Sequence, residues 1–195
     1  MYRILSMSLD AAISGVILIP LFCVLNHFFW HNRRRTVFLW IFAIYLSAMF
    51  AVVGLPDIRY IRFCPHFNFR PFAYMFSDFT NSALNVLLFV PLGMFLPLLW
   101  RYFSSAWRTV LFGFCVSVLI ETLQIFTLRA TDVNDLITNT FGTLLGWLLG
   151  EALLRLFPQI HPSEKTVEVY SINILTFGSM FLVHPFVADW IWMYV

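Results

Sequence analysis

Four stretches of this chain run for about twenty residues without a charged side chain, the length a helix needs to cross the hydrocarbon core of a bilayer. They are Ala11 to Trp30, Thr36 to Pro56, Phe79 to Trp100 and Val169 to Ala188. Two more runs qualify if one acid each is tolerated: Thr109 to Leu128 around Glu121, and Leu136 to Leu154 around Glu151. In lipid every backbone polar group must be satisfied within the protein, so runs of this length are read as helices. The expected fold is all-α, a polytopic transmembrane bundle of five to six helices forming a single membrane domain over residues 1–195. Composition agrees, since 11% charged residues and 61% hydrophobic ones are far from the roughly 25% charged residues of a soluble domain. The first run is longer than a secretory h-region and no A-x-A site follows it, so it is kept as a membrane helix.

The net charge of +2 is too small to attract nucleic acid. Cys23, Cys64 and Cys115 are isolated, with no CxxC and no histidine at ligand spacing; they read as packing residues, and no metal or cofactor is expected. Arginine and lysine are retained on the cytoplasmic side. With the N-terminus outside, seven of them (Arg33, Arg34, Arg35, Arg101, Arg108, Arg155, Lys165) fall on cytoplasmic connections and five (Arg3, Arg59, Arg62, Arg70, Arg129) outside. The undiluted Arg33-Arg34-Arg35 cluster favours this orientation, and an even helix count then places both termini outside a multi-pass cell-membrane protein.

Polar residues inside these runs are costly and therefore informative. Glu121 lies seven residues before Leu128 and Asn85 six after Phe79, depths of about 10 and 9 Å from the same face. Asn139 is about as deep if its helix starts near Val133. Gly113, Ser117, Glu121 and Gln124 recur at helical spacing and share one stripe; Asp135, Asn139, Gly142, Gly146 and Gly150 share another. The three glycines allow a neighbouring helix to approach closely, and the helix carrying Glu121 is the expected partner. A mid-helix carboxylate costs roughly 2.5 to 3.5 kcal/mol on insertion scales, so Glu121 is expected to be paired with an arginine or protonated. Structural readings stand beside these. Asp132 suits an N-cap with Asp135 completing a capping-box-like arrangement, Arg129 suits a loop cation paired with those acids, and Asn85 and Gln124 suit interhelical hydrogen bonds.

Between the second and third runs, Arg59-Tyr-Ile-Arg62-Phe-Cys-Pro-His66-Phe-Asn68-Phe-Arg70-Pro71-Phe72 alternates rings with cations and prolines. It is too apolar for a free loop and too interrupted for a span, so it is expected along the interface, anchoring there or capping the polar residues. Its arginines suit phosphate-bearing head groups.

In order along the chain, Asn68-Phe-Arg-Pro71-Phe72, Asn85-Val-Leu-Leu-Phe89-Val-Pro91-Leu-Gly93, Ser117-Val-Leu-Ile-Glu121-Thr-Leu-Gln124 and Thr131-Asp132-Val-Asn-Asp135-Leu-Ile-Thr-Asn139-Thr-Phe-Gly142 resemble the VanZ-like family over about residues 60–150. That family takes its name from an accessory teicoplanin-resistance protein. The resemblance implies a small polytopic membrane protein, linked in some members to glycopeptide or lipoglycopeptide resistance and without a settled activity.

Three functions follow. The first is binding or handling of an amphipathic cell-envelope ligand, a lipid-linked precursor or lipoglycopeptide, at a site near the outer face. It would be built from Asn68, Arg70, Asn85, Glu121, Gln124, Arg129, Asp132, Asp135 and Asn139, with membrane lipids as further partners. The second is an intramembrane enzyme acting on an envelope lipid, with Glu121 as acid or base and Asp132 and Asp135 assisting or holding a divalent cation. The third is a small transporter or flippase.

Overall fold

A computed structural model describes residues 2–27, 32–54, 56, 58–59, 61–63, 67–68, 70–72, 79–127 and 131–193. It is helical almost throughout. The helices are α1 (Tyr2–Leu25), α2 (Arg33–Val53), α3 (Phe79–Leu99), α4 (Ala106–Gln124), α5 (Val133–Leu156), α6 (Val167–Gly178) and α7 (His184–Trp192). The last two form one rod, joined by a π-helical turn over Ser179–Val183. Extended structure amounts to two residues of β1 (Phe67–Asn68) paired in parallel with two of β2 (Thr131–Asp132). The all-α expectation holds. By length and composition α2, α3, α4 and the rod Val167–Trp190 can each cross a membrane, and Ala12–Leu25 is a shorter apolar helix.

The helices gather into two compact units, residues 1–61 with 167–195, and residues 62–166. In the first, α2 starts where the Asn32 side chain accepts from the Arg35 amide and ends at Gly54, whose left-handed φ of 65° lets its amide reach the Phe50 carbonyl. Arg35 at the start of α2 pairs with Glu168 at the start of α6. Arg59 pairs with Asp189 of α7. The π turn has a sequence cause. Pro185 has no N–H to return to the carbonyl of Phe181, and the amide of Ile58 donates to that carbonyl at 3.3 Å instead.

The second unit is built on α5. Gly142, Gly146 and Gly150 press onto the backbone of α3, and a Cβ at these positions would lie 2.3 Å from the Val86 oxygen, 2.0 Å from the Val90 oxygen and 2.9 Å from the Met94 oxygen. These contacts advance together along both helices, so α3 and α5 run parallel. The expected partner of the glycine stripe is therefore corrected from α4 to α3. Each neighbour offers one glycine to α5, but Gly93 of α3 lies against the Thr143 backbone while Gly113 of α4 meets only the Thr143 side chain, so the backbone-to-backbone approach is made with α3. The other side of α5 meets α4 in antiparallel sense, with Gly113 against the Thr143 side chain and Ser117 against Asn139.

The cysteines also depart from expectation. Cys23 and Cys115 sit on exposed helix faces and not packed between helices. Cys64 lies outside the described residues.

Candidate functional site

The polar residues of α3, α4 and α5 collect at the end of the second unit where α3 and α5 begin and α4 finishes. Glu121, on the last turn of α4, is 4% exposed. Its Oε2 accepts the amide of Asp132 at 2.9 Å, and its own carbonyl accepts from Thr131 Oγ1 at 3.1 Å. The carboxylate thus sits at the N-terminus of α5, where the free amides and aligned peptide dipoles favour negative charge. To the arginine or proton expected beside this carboxylate the structure adds a main-chain donor, the Asp132 amide.

Asp132 is the N-cap of α5. Its Oδ1 accepts from the amide of Asn134 at 2.8 Å and from Asn134 Nδ2 at 2.9 Å, while its Oδ2 accepts from Asn68 Nδ2 at 2.9 Å. The capping expectation holds for Asp132 and changes for its companion. The N-cap amide is taken by Glu121 from another helix, and Asp135 turns to α3, accepting from Asn85 Nδ2 at 2.7 Å. Deeper along the seam, Asn139 Nδ2 donates to Ser117 Oγ at 2.9 Å. Gln124 is buried at the end of α4, where its carbonyl accepts from the amide and hydroxyl of Thr127.

Asn134 was not selected from the sequence, yet it is the hub of this end. Its Oδ1 accepts the Phe72 amide at 2.7 Å, and its Nδ2 donates to the Arg70 carbonyl at 3.3 Å. Asn68 supports the same segment, its Oδ1 accepting the Arg70 amide at 3.3 Å. Phe72 is held with φ at 62°, a left-handed conformation that costs a bulky residue roughly 1–2 kcal/mol and persists where its surroundings impose it. The only signal in the sequence was position: an asparagine between two acids at a helix start, of the type that bonds loop backbone.

Clamped by its backbone, the segment leaves the side chains of Arg70, Pro71 and Phe72 exposed. Arg70 and Arg62 are exposed, and so are the rings of Phe63, Phe72 and Phe79. An exposed cation thus stands next to an exposed ring at Arg62–Phe63 and two residues from one at Arg70–Phe72. Among the described residues no three His, Cys, Asp or Glu side chains converge as a metal would require. Of the expected site residues, Asn68, Asp132 and Glu121 join one network that also holds the Arg70 backbone, Asn85 pairs with Asp135, and Asn139 is tied to Ser117. Arg129 lies outside the described residues.

No solved structure matches the chain. Protein VanZ of Enterococcus faecium is 34% identical over 80 residues, which cover 40% of this chain and 48% of that protein, so the chain spans about half the length of this curated relative. The profile of the VanZ/LLP1 family matches residues 37–155, reaching beyond the motif-bearing core to take in most of α2. With well over half of its length matched, and with the polar end of α3, α4 and α5 inside the matched region, this chain belongs to the VanZ/LLP1 family.

Proposed function

We infer that this VanZ-family membrane protein binds an anionic amphipathic ligand of the cell envelope, a lipid-linked precursor or a lipoglycopeptide. Contact is made through the arginine and aromatic side chains of the 62–72 segment. One observation carries the reading: Asn134 grips the backbone on both sides of Pro71 and leaves the side chains of Arg70 and Phe72 exposed. A guanidinium beside exposed rings suits a phosphate or carboxylate attached to an apolar body. An orientation with both termini outside, which the Arg33-Arg34-Arg35 cluster favours, would place this surface at the outer leaflet. Accessory participation in glycopeptide resistance is consistent with such a ligand.

In this reading Glu121, Asp132 and Asp135 are positioning residues. Their oxygens accept from Asp132 N, Asn134, Asn68 and Asn85, an arrangement that suits holding three segments together better than acid–base chemistry or proton transport.

The test uses purified protein in nanodiscs and a teicoplanin-type lipoglycopeptide or a polyprenyl-diphosphate-linked precursor as probe. Arg70→Ala removes a charge-assisted contact of roughly 1.5–3 kcal/mol and is expected to weaken binding about tenfold or more. Asn134→Ala should weaken it by a similar factor while leaving Arg70 in place. Undiminished binding by both variants, or no binding of either probe by the wild type, would overturn the reading.

A further inference from the structure

One turn along α4 from Glu121, Ser117 is completely buried and faces Asn139, which is 4% exposed. Asn139 Nδ2 donates to Ser117 Oγ, which leaves two needs unmet. Among the described residues Asn139 Oδ1 is buried without a hydrogen-bond partner and the seryl hydrogen has no acceptor. Buried polar atoms are almost always satisfied by protein or by ordered water. Other buried hydroxyls of this unit bond back to main-chain carbonyls: Thr109 to Phe103, Thr138 to Asn134 and Thr143 to Asn139. The Ser117–Asn139 rung departs from that pattern. Exchanging the oxygen and nitrogen of the Asn139 amide does not repair it, because Oδ1 would then take the seryl hydrogen and Nδ2 would be left with two hydrogens and no acceptor.

We propose that a single water molecule occupies this rung of the α4–α5 seam, accepting the seryl hydrogen and donating to Asn139 Oδ1. The pair of unmet needs selects the occupant. A metal cation would satisfy the amide oxygen but cannot accept a hydrogen, whereas water does both and meets the two or more polar partners that a buried water requires. The seam is closed on one side by the contact between Gly113 and Thr143, and Glu121 stands on the other, so hydration reaches into the helix pair beneath the carboxylate. Ser117 and Asn139 are then a built solvent site that positions α4 against α5 at the level below Glu121, independently of any ligand bound above.

Cross-relaxation between water and side-chain amides, recorded on 15N-asparagine protein in deuterated micelles, tests this. The Asn139 amide is expected to show a cross-peak of the sign given by a long-lived water. Asn134, which is 5% exposed and engaged at both its oxygen and its nitrogen, should show none. The pH dependence distinguishes a true water from relay through the seryl hydroxyl: a bound water gives an Asn139 cross-peak that does not change with pH, and a cross-peak that follows the acid- and base-catalysed exchange of the hydroxyl overturns the proposal. Absence of the cross-peak in the wild type overturns it as well. So would a sodium-specific rise in Tm, relative to potassium and choline, that Ser117→Ala removes, since that would assign the rung to a cation.

Discussion

Replacing Gly146 by alanine adds one methyl group where the backbones of α3 and α5 touch. The new Cβ would stand 2.0 Å from the Val90 oxygen, 2.8 Å from the Met94 nitrogen and 2.9 Å from the Gly93 Cα. Ordinary carbon contacts need roughly 3.5 Å, so the helices must separate by something over 1 Å, roughly the difference between these distances. All three obstructing atoms belong to the backbone, and no rotamer change relieves them. Separation at Gly146 also loosens the approaches at Gly142 and Gly150 on the same face. Overpacking typically costs about 1–3 kcal/mol, and this geometry belongs at the upper end. At roughly 2–4 °C per kcal/mol for a chain of this size, Tm in detergent should fall by roughly 6–12 °C. Gly178→Ala is the matched control. Among the described residues nothing lies within 4 Å of its would-be Cβ, and relief of glycine's helix penalty should stabilise by about 0.5–1 kcal/mol. Opposite signs for the same chemical change would identify backbone contact as the cause. A Gly146→Ala variant that melts within about 2 °C of the wild type, or two alanines that shift Tm equally, would refute the reasoning.

Glu121→Leu strands the Asp132 amide at the start of α5, at a cost of roughly 1–3 kcal/mol, and should accelerate hydrogen exchange at that amide. Glu121→Gln keeps an oxygen acceptor and should stay near the wild type; identical behaviour of the two variants would show that the amide contact is unimportant. Glu168→Ala leaves Arg35 without its partner in a pair only 20% and 8% exposed, and a loss of roughly 1–3 kcal/mol in thermal unfolding is expected. Glu164→Ala breaks a pair in which both side chains are 73% exposed, and should cost under about 1 kcal/mol. Any such small effect should vanish in high salt. Equal losses from these two alanines would refute the distinction drawn from burial.

Much of the fold is legible because membrane insertion is read along one dimension. The uncharged run Thr36 to Pro56 became Arg33–Val53, and Phe79 to Trp100 became Phe79–Leu99, since the length and the absence of charge are local properties. Helical phase is local too, and Gly113, Ser117, Glu121 and Gln124, assigned to one stripe by spacing, are all buried on one side of α4. The glycine stripe of α5 was equally visible, but a stripe states how near a neighbour can come and leaves the neighbour unnamed. That choice fell to α3, whose own Gly93 completes the approach. Pro185 lay unremarked inside the uncharged run Val169 to Ala188, and its consequence, a carbonyl taken by Ile58, depends on a residue far away in the chain.

The polar end divides in the same way. By itself the sequence determined that Asn85, Glu121, Asp132, Asp135 and Asn139 are costly in apolar helices and fall near one face, because depth and periodicity follow from counting residues. Tertiary structure alone decided that Glu121 receives the Asp132 amide, that Asp135 turns to Asn85, and that Asn134 clamps the backbone at Arg70 and Phe72. A hydrogen bond requires a donor and an acceptor within about 3 Å and in line, and here the partners come from segments up to 64 residues apart. No spacing along the chain encodes that meeting; the packing of α5 between α3 and α4 does.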